Sequence, residues 1–413
     1  MDARSGLGKS RGAFGLVNAM SWTLHEPTLD VDAGLRPTHV KVDLDALADN
    51  LGAIQAHLGP QVQIMPVLKA NAYGHGLVPV ARLMERLGAP CLGLAYLEEG
   101  IRLRQAGLSV DMLVMGGILG SQIPLFLEHG LIITASSVDK LTAVEECAAA
   151  MGRRARVHLK VDTGMERLGV HWYSAEKLLE AALSLKHVQV EGIFTHLANA
   201  DAADLSHSRL QLERFEQVLD FYPRHSLPTP LRHAANSGGV LQLPESWYDL
   251  VRPGILLFGV YPSPEVQRTI AVRPALEWLS RVVYFKVVEA GSPVSYGSTW
   301  APDRRTRLVT VPVGYGDGYF RAMSDRAQVL LRGRRYPVVG RICMDQVMVD
   351  IGWDSAWNGD EVVLVGRRDG QEIGAEELAE WAGTIPYEVL TNINTRVPRV
   401  YRCERWPELT EQR

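Results

Sequence analysis

The sequence predicts an α/β protein, a (β/α)8 barrel followed by a mainly β domain, and three observations predict it. From about residue 60 to residue 260, short β-branched runs alternate with helical patterns. After about residue 265 the texture changes to strand-like runs separated by Gly, Pro and Asp turns. The 413 residues suffice for a barrel of about 250 residues with a smaller partner.

Composition narrows the class. Apolar residues make up 46% and charged residues 22%, which excludes a disordered, collagen-like or coiled-coil chain. The net charge of -4 argues against reliance on nucleic acid or an acidic membrane surface. Cys91, Cys147, Cys343 and Cys403 form no C-x-x-C pair, so neither a zinc ribbon nor a redox motif is expected, and no metal site. So few cysteines in a long chain fit a cytoplasmic protein. No apolar run reaches the ~18 residues of a membrane span.

Residues 1–37 read as a poorly ordered N-terminal extension. The apolar stretch 13–24 lacks the cleavage site of an export signal. GLGKS (6–10) is not a phosphate loop, because Ala3 stands where the first glycine is required. Segment 40–58 opens with a strand-like run, then a helix striped by Leu44, Leu47, Leu51, Ile54 and Leu58. The barrel is expected over 45–265, with strand 39–44 joining the second domain. Its eight candidate strands are 62–68, 91–95, 111–115, 131–134, 156–161, 189–195, 229–233 and 255–259. Amphipathic helices lie between them. One is 77–87, where Val80, Leu83, Met84 and Leu87 form a stripe and Gly88 ends the helix. The mainly β domain, 266–413, carries runs at 281–289, 307–313, 327–331, 336–340, 345–351 and 361–365.

Barrel chemistry sits where the strands end. The polar residues closing the apolar runs are Lys69, Lys160, His196 and His233, and Arg252 follows Asp-Leu-Val near the last strand. A rim this basic suits a ligand with phosphate and carboxylate groups. A lysine placed by a buried strand, among cations, can lose its proton and condense with an aldehyde.

Nine motifs in order then resemble one family. They are VLKANAYGHG (67–76), KVDTGMERLGV (160–170), FTHLANAD (194–201), HAANSGG (233–239), VRPGILLFG (251–259), VSYGSTW (294–300), VGYGDGYFR (313–321), RICMDQVMVD (341–350) and IPYEVLTNINTRVPRVY (385–401). Together they resemble the barrel-type alanine racemases, over about 39–405.

The resemblance implies pyridoxal 5'-phosphate (PLP) held covalently by Lys69, which also serves as one of two bases. Tyr296 matches the second base, on the opposite face of the substrate's Cα. Racemisation needs a proton acceptor on each side, because return from one side alone restores the starting isomer. A phenol needs a cationic or hydrogen-bonding neighbour to act as a base. Arg252 is implied at the pyridine nitrogen, where a guanidinium cannot accept a proton and so limits side reactions. His196 resembles the residue that orients it. Tyr73, Ser237, Gly254, Ile255 and Tyr387 are implied at the phosphate. Arg167 matches the contact to the cofactor's phenolic oxygen and the substrate carboxylate. Lys160, seven residues earlier, matches a position often carbamylated by CO2.

The same resemblance implies a homodimer with composite sites. Met344 and Asp345 would reach in from the second subunit, with the Met344 N–H on the substrate carboxylate and Cys343 a structural thiol. Tyr315, Asp201, Arg321 and Arg341 would line the corridor, and Tyr296 with Tyr387 would gate an opening sized for alanine. Gly316 stands where alanine is frequent. The expected activity is interconversion of L- and D-alanine, for peptidoglycan or for alanine catabolism.

A broad-spectrum or serine racemase would share nearly all of these motifs, and pocket width would separate them. A non-enzymatic PLP-binding protein would lack the β domain with Tyr296. A decarboxylase would share the two-domain plan but release CO2.

Overall fold

The computed structural model describes residues 36–410; the reading of 1–37 as an extension falls almost wholly outside them. Among the described residues the first strand is β1 (His39–Asp43). Asp43 then caps the helix Leu44–Leu58, its carboxylate accepting from Ala46 N at 2.9 Å. Leu44, Leu47, Ile54 and Leu58 of the predicted stripe are buried.

Eight parallel strands follow: β2 (Gln63–Ile64), β3 (Cys91–Leu94), β4 (Asp111–Val114), β5 (Ile132–Ala135), β6 (Ala155–Asp162), β8 (Val188–Phe194), β9 (Leu231–His233) and β10 (Leu250–Val251); the short β7 (Val170–His171) pairs with β6. β3 to β9 are hydrogen-bonded in chain order, and β10 pairs with β2. A bridge between Val67 and Gly93 joins β2 to β3. Asp249 N to Arg232 O at 3.2 Å and Arg252 N to Ala235 O at 3.0 Å join β9 to β10. The ring therefore closes. An apolar layer of Met65, Cys91, Leu113, Ile132 and Leu250 fills it, as a packed barrel requires. The predicted helix at 77–87 forms over Leu77–Arg86, with Val80, Leu83 and Met84 buried.

One predicted strand is displaced. Residues 255–259 are not the eighth strand; Ile255–Phe258 is a buried 3-10 turn closed by Gly259 at φ 80°. A short, wholly apolar run reads alike as strand or buried helical turn. Pro253 also cannot donate to a ladder. The eighth strand is β10, five residues earlier, so Arg252 directly follows a barrel strand.

The second sheet has the order β12-β13-β16-β15-β14-β17-β11-β1-β19, with β18 paired to β17. Its strands are β11 (Leu276–Arg281), β12 (Tyr284–Val288), β13 (Thr306–Val311), β14 (Gln328–Leu331), β15 (Arg334–Val339), β16 (Val347–Gly352), β17 (Glu361–Arg368), β18 (Gln371–Ile373) and β19 (Arg399–Arg402). The run at 281–289 forms β12, and β11 lies before it, outside the predicted runs but for Arg281. β1 lies between β11 and β19, antiparallel to the first and parallel to the second. Trp278 and Tyr319, both fully buried, meet edge to face at 5.8 Å in this core.

The two halves meet at the turn after Lys69. A Cβ on Gly74 would lie 2.1 Å from the Leu390 carbonyl oxygen, and one on Gly76 would lie 1.8 Å from Tyr401 Oη. Glycine alone lets the barrel loop approach the helix Pro386–Asn392 this closely. That approach brings Tyr387 beside Tyr73, ring centroids 6.0 Å apart. No helix among the described residues is long and apolar enough to cross a membrane.

Candidate active site

Lys69 opens an unusual turn. Ala70, Asn71, Ala72 and Tyr73 all have left-handed φ, between 51° and 56°. L-residues resist this conformation by about 1–2 kcal/mol each. Side chains hold the turn. Glu99 accepts from Ala70 N at 2.7 Å and Ala95 N at 2.8 Å, and Asn71 Oδ1 accepts from Leu77 N at 2.8 Å. Strain so over-determined is a mark of functional sites. Lys69 itself is half-buried. Burial lowers its pKa, the Arg167 and Arg252 charges lower it further, and Glu99 opposes them. The amine is thereby made easier to deprotonate.

Arg252 anchors the opposite wall and is buried. Its guanidinium donates to His233 Nδ1, Thr195 O and Ala234 O, each at 2.8 Å, and to His196 Nδ1 at 3.3 Å. His196 is therefore the longer of two histidine contacts, and His233 is the closer partner. Arginine only donates, so His233 Nδ1 accepts and its proton sits on Nε2. That proton is shared with His158 Nδ1 at 2.9 Å. Both rings are held neutral. Burial and then the Arg252 charge push His233 well below its usual value, and burial with Arg156 and Arg252 pushes His158 down to about 3. Gly192 makes room for this chain, since a Cβ there would lie 2.6 Å from His158 Nδ1.

Phe194 sits at the centre. Its ring stacks on His233 at 4.6 Å, with Lys160 Nζ at 5.2 Å and the Arg252 guanidinium at 5.5 Å. Lys160 is buried and donates to Val161 O at 2.8 Å. Burial, and then the Arg252 charge, bring its pKa down to about 7.

Arg167 rides an exposed loop. Asp162 fixes that loop, Oδ1 accepting from the N–H of Gly164, Met165 and Glu166 at 2.8, 3.0 and 3.2 Å, and Oδ2 from Arg167 N at 3.0 Å. Burial opposes ionisation of Asp162, yet the backbone donors outweigh it and its pKa is lowered.

A cradle forms next to Lys69. Ser237 Oγ accepts from Gly254 N at 2.9 Å and Leu256 N at 3.3 Å. A Cβ on Gly254 would stand 2.3 Å from Tyr73 Oη. Only glycine leaves this space, ringed by the Ser237 and Tyr73 hydroxyls and backbone N–H groups. Ile255 is buried beneath it.

A second group lies on the β domain. Tyr296, Tyr315, Met344 and Asp345 are exposed. Tyr315 N donates to Cys343 O at 3.0 Å, and Ser295 Oγ to Arg341 O at 2.5 Å. Among the described residues no hydrogen bond joins this group to the Lys69 group of the same chain. Asp201, half-buried, carries a carboxyl raised by burial and then by Glu265.

Sequence reasoning placed Lys69, Lys160, His196, His233 and Arg252 on one rim, and the fold gathers these residues around Phe194 and the turn after Lys69; the cradle residues came from the resemblance alone. It gave no role to His158, Asp162 or Glu99, and none beyond the rim to His233. Asp162 was findable, because an Asp two residues before a Gly signals a side-chain-capped turn.

Comparisons with known proteins agree with this geometry. Residues 42–262 match the family described as alanine racemase, N-terminal domain, and residues 275–401 its C-terminal domain. An alanine racemase of Symbiobacterium thermophilum is 46% identical over 377 residues, spanning 91% of this chain and all of the relative. The solved alanine racemase of Streptomyces lavendulae superposes with a TM-score of 0.85 at 39% identity, covering 89% of this chain and 97% of that one. The Bartonella henselae alanine racemase, solved with covalently bound pyridoxal phosphate, gives a TM-score of 0.80 at 29% identity, covering 88% and 99%.

Proposed function

This chain belongs to the alanine racemase family, and on that premise we propose that it interconverts L- and D-alanine with PLP on Lys69, the partner subunit's Tyr296 acting as second base. The observation that carries this reading is the Lys69 amine, with its pKa depressed, set beside the Ser237–Gly254–Tyr73 cradle. The donor set suits a phosphate, the cationic rim suits anionic groups, and the amine suits an aldehyde. The Bartonella relative holds the same group covalently.

When bound, PLP draws electron density from the Cα–H bond of an amino acid joined to it. This chain's residues supply the rest. Tyr73, Ser237, Gly254, Ile255 and Tyr387 would hold the phosphate. Arg252, kept in place by His233 and His196, would meet the ring nitrogen with a group that only donates, and so would leave that nitrogen unprotonated. Lys69 moves a proton at one face of Cα and Tyr296 at the other. Arg341 stands by the Tyr296 turn, since a Cβ on Gly297 would lie 3.0 Å from its guanidinium. Arg167 and the Met344 N–H take the substrate carboxylate.

The cofactor-binding unit is residues 45–265, and 266–413 with strand 39–44 is the unit lent to the partner. The four cysteines, all free, fit a cytoplasmic enzyme. Its product would serve peptidoglycan, or its reverse reaction alanine catabolism. The test is the optical rotation of L-alanine, which should decay to zero, since the two enantiomers have equal energy. L-serine and larger amino acids should react far more slowly. Rotation unchanged at saturating PLP overturns the reading.

Lys160 gives a second test. In CO2-free buffer the unfolded chain binds a proton at this amine up to its usual 10.5, while the folded chain releases it near 7. The unfolded state holds more protons across that window, so stability rises with pH from about 7 to 10.5. Between pH 7.5 and 9.5 wild type should gain about 2–3 kcal/mol that Lys160→Met does not. Equal slopes in urea titrations would refute the buried neutral amine. With 13C-bicarbonate the same neutral amine should add CO2, and the carbamate would turn toward Arg167. A carbamate carbon resonance in wild type and none in Lys160→Met is the expected result.

A further inference from the structure

Gly316 lies in the turn that holds the Met344–Asp345 loop, and the space a side chain would need there is already filled. The residue does not adopt a left-handed φ, so an alanine backbone would fit. A side chain there has room only if a neighbouring arginine moves. A Cβ on Gly316 would lie 2.5 Å from Arg396 NH2, 2.9 Å from its Cζ and 3.1 Å from Met344 O.

Arg396 fills that space for a reason. Its Nε donates to Asp317 Oδ1 at 2.7 Å, and its NH2 to Asp345 Oδ1 at 2.8 Å and Met344 O at 3.3 Å. Asp317 is fully buried. Its other oxygen accepts from Arg36 NH1 at 2.9 Å and Gly314 N at 3.0 Å. The guanidinium is thus clamped from the domain's interior and presses outward on the Met344–Asp345 loop.

The loop is aimed by its peptide planes. Tyr315 N holds Cys343 O at 3.0 Å, and Gly316 N holds Met344 O at 2.9 Å. A trans peptide is planar, so the Met344 N–H points opposite to Cys343 O, away from the Tyr315 turn. Arg396 also neutralises Asp345, whose carboxylate would otherwise repel an approaching carboxylate.

We propose that Gly316 and Arg396 are positioning residues that set the site's affinity for the substrate carboxylate, Arg396 by fixing the Met344–Asp345 loop and Gly316 by making room for it. This rests on the reading that the Met344 N–H meets that carboxylate. In Gly316→Ala the arginine must withdraw, the loop loosens and Asp345 loses its counter-ion.

Two probes separate the halves of alanine: propionate lacks the amine and ethylamine lacks the carboxylate. Calorimetry on the PLP-loaded protein reads both without turnover. In Gly316→Ala, the Kd for propionate and the KM for alanine should rise about five- to tenfold, with kcat within about twofold and ethylamine binding unchanged. Arg396→Lys keeps the charge but loses the fork; its propionate affinity should lie between those of wild type and Arg396→Ala. The proposal is overturned if propionate binds both proteins equally, if both probes weaken alike, or if wild type binds no propionate. Failure of wild type to racemise alanine would instead sink the assigned activity, while the propionate–ethylamine comparison still decides the role of this loop.

Discussion

Lys69→Ala should lower alanine racemisation in both directions by at least roughly 10⁴-fold, because under the proposed function one substitution removes both the covalent anchor for PLP and one of two bases. The fold should not suffer. Lys69 is half-buried beside Arg167 and Arg252, and its charge is opposed by burial and by both cations. Losing it relieves repulsion, so the melting temperature without cofactor should match or exceed that of wild type, as when a functional residue is removed from a strained site. The left-handed turn should persist, since Glu99 and Asn71 hold it through the backbone of Ala70 and Leu77. Borohydride reduction followed by peptide mapping should mark Lys69 in wild type and no lysine in the variant. A marked lysine elsewhere, with activity retained, would overturn the assignment.

The outline of this site was legible because strand ends can be read one at a time. Each apolar run announces its own strand, and the polar residue after it announces the rim. What joins one rim residue to another could not be read. His158, His233 and Arg252 form a chain across β6, β9 and β10, and nothing in local pattern says which strands a closed ring makes neighbours. His196, which follows β8, resembles the residue that orients Arg252 and lies 3.3 Å from it. The ring instead brings His233 closer. The error at 255–259 has a different cause. Ile255–Phe258 is fully buried, and uniform burial erases the periodicity that separates strand from turn. Gly316 shows a third limit, because its meaning lies in a side chain eighty positions away that only the fold places against it.

Tyr296→Ala should abolish activity almost as fully as Lys69→Ala, yet the two variants should rescue each other. Tyr296 is 69% exposed and Met344 52% exposed, and neither is hydrogen-bonded to the Lys69 group of its own chain. An exposed base is of little use in water, where the reacting carbon must be shielded. A barrel rim is an open bowl, and a second copy's β domain can cover it. In an isologous two-fold dimer both sites form together, each pairing one protomer's Lys69 with its partner's Tyr296. Mixing the two inactive homodimers after unfolding and refolding them together then has a definite outcome. Every heterodimer carries one site with both lesions and one with neither. Random assortment makes about half of the dimers mixed, so about a quarter of wild-type activity should return if the sites are independent. Sedimentation should show dimers throughout, and differently tagged chains should confirm the exchange. Were Tyr296 to act within its own chain, every site in the mixture would keep one lesion. A fully exchanged mixture that stays inactive would therefore overturn the composite site.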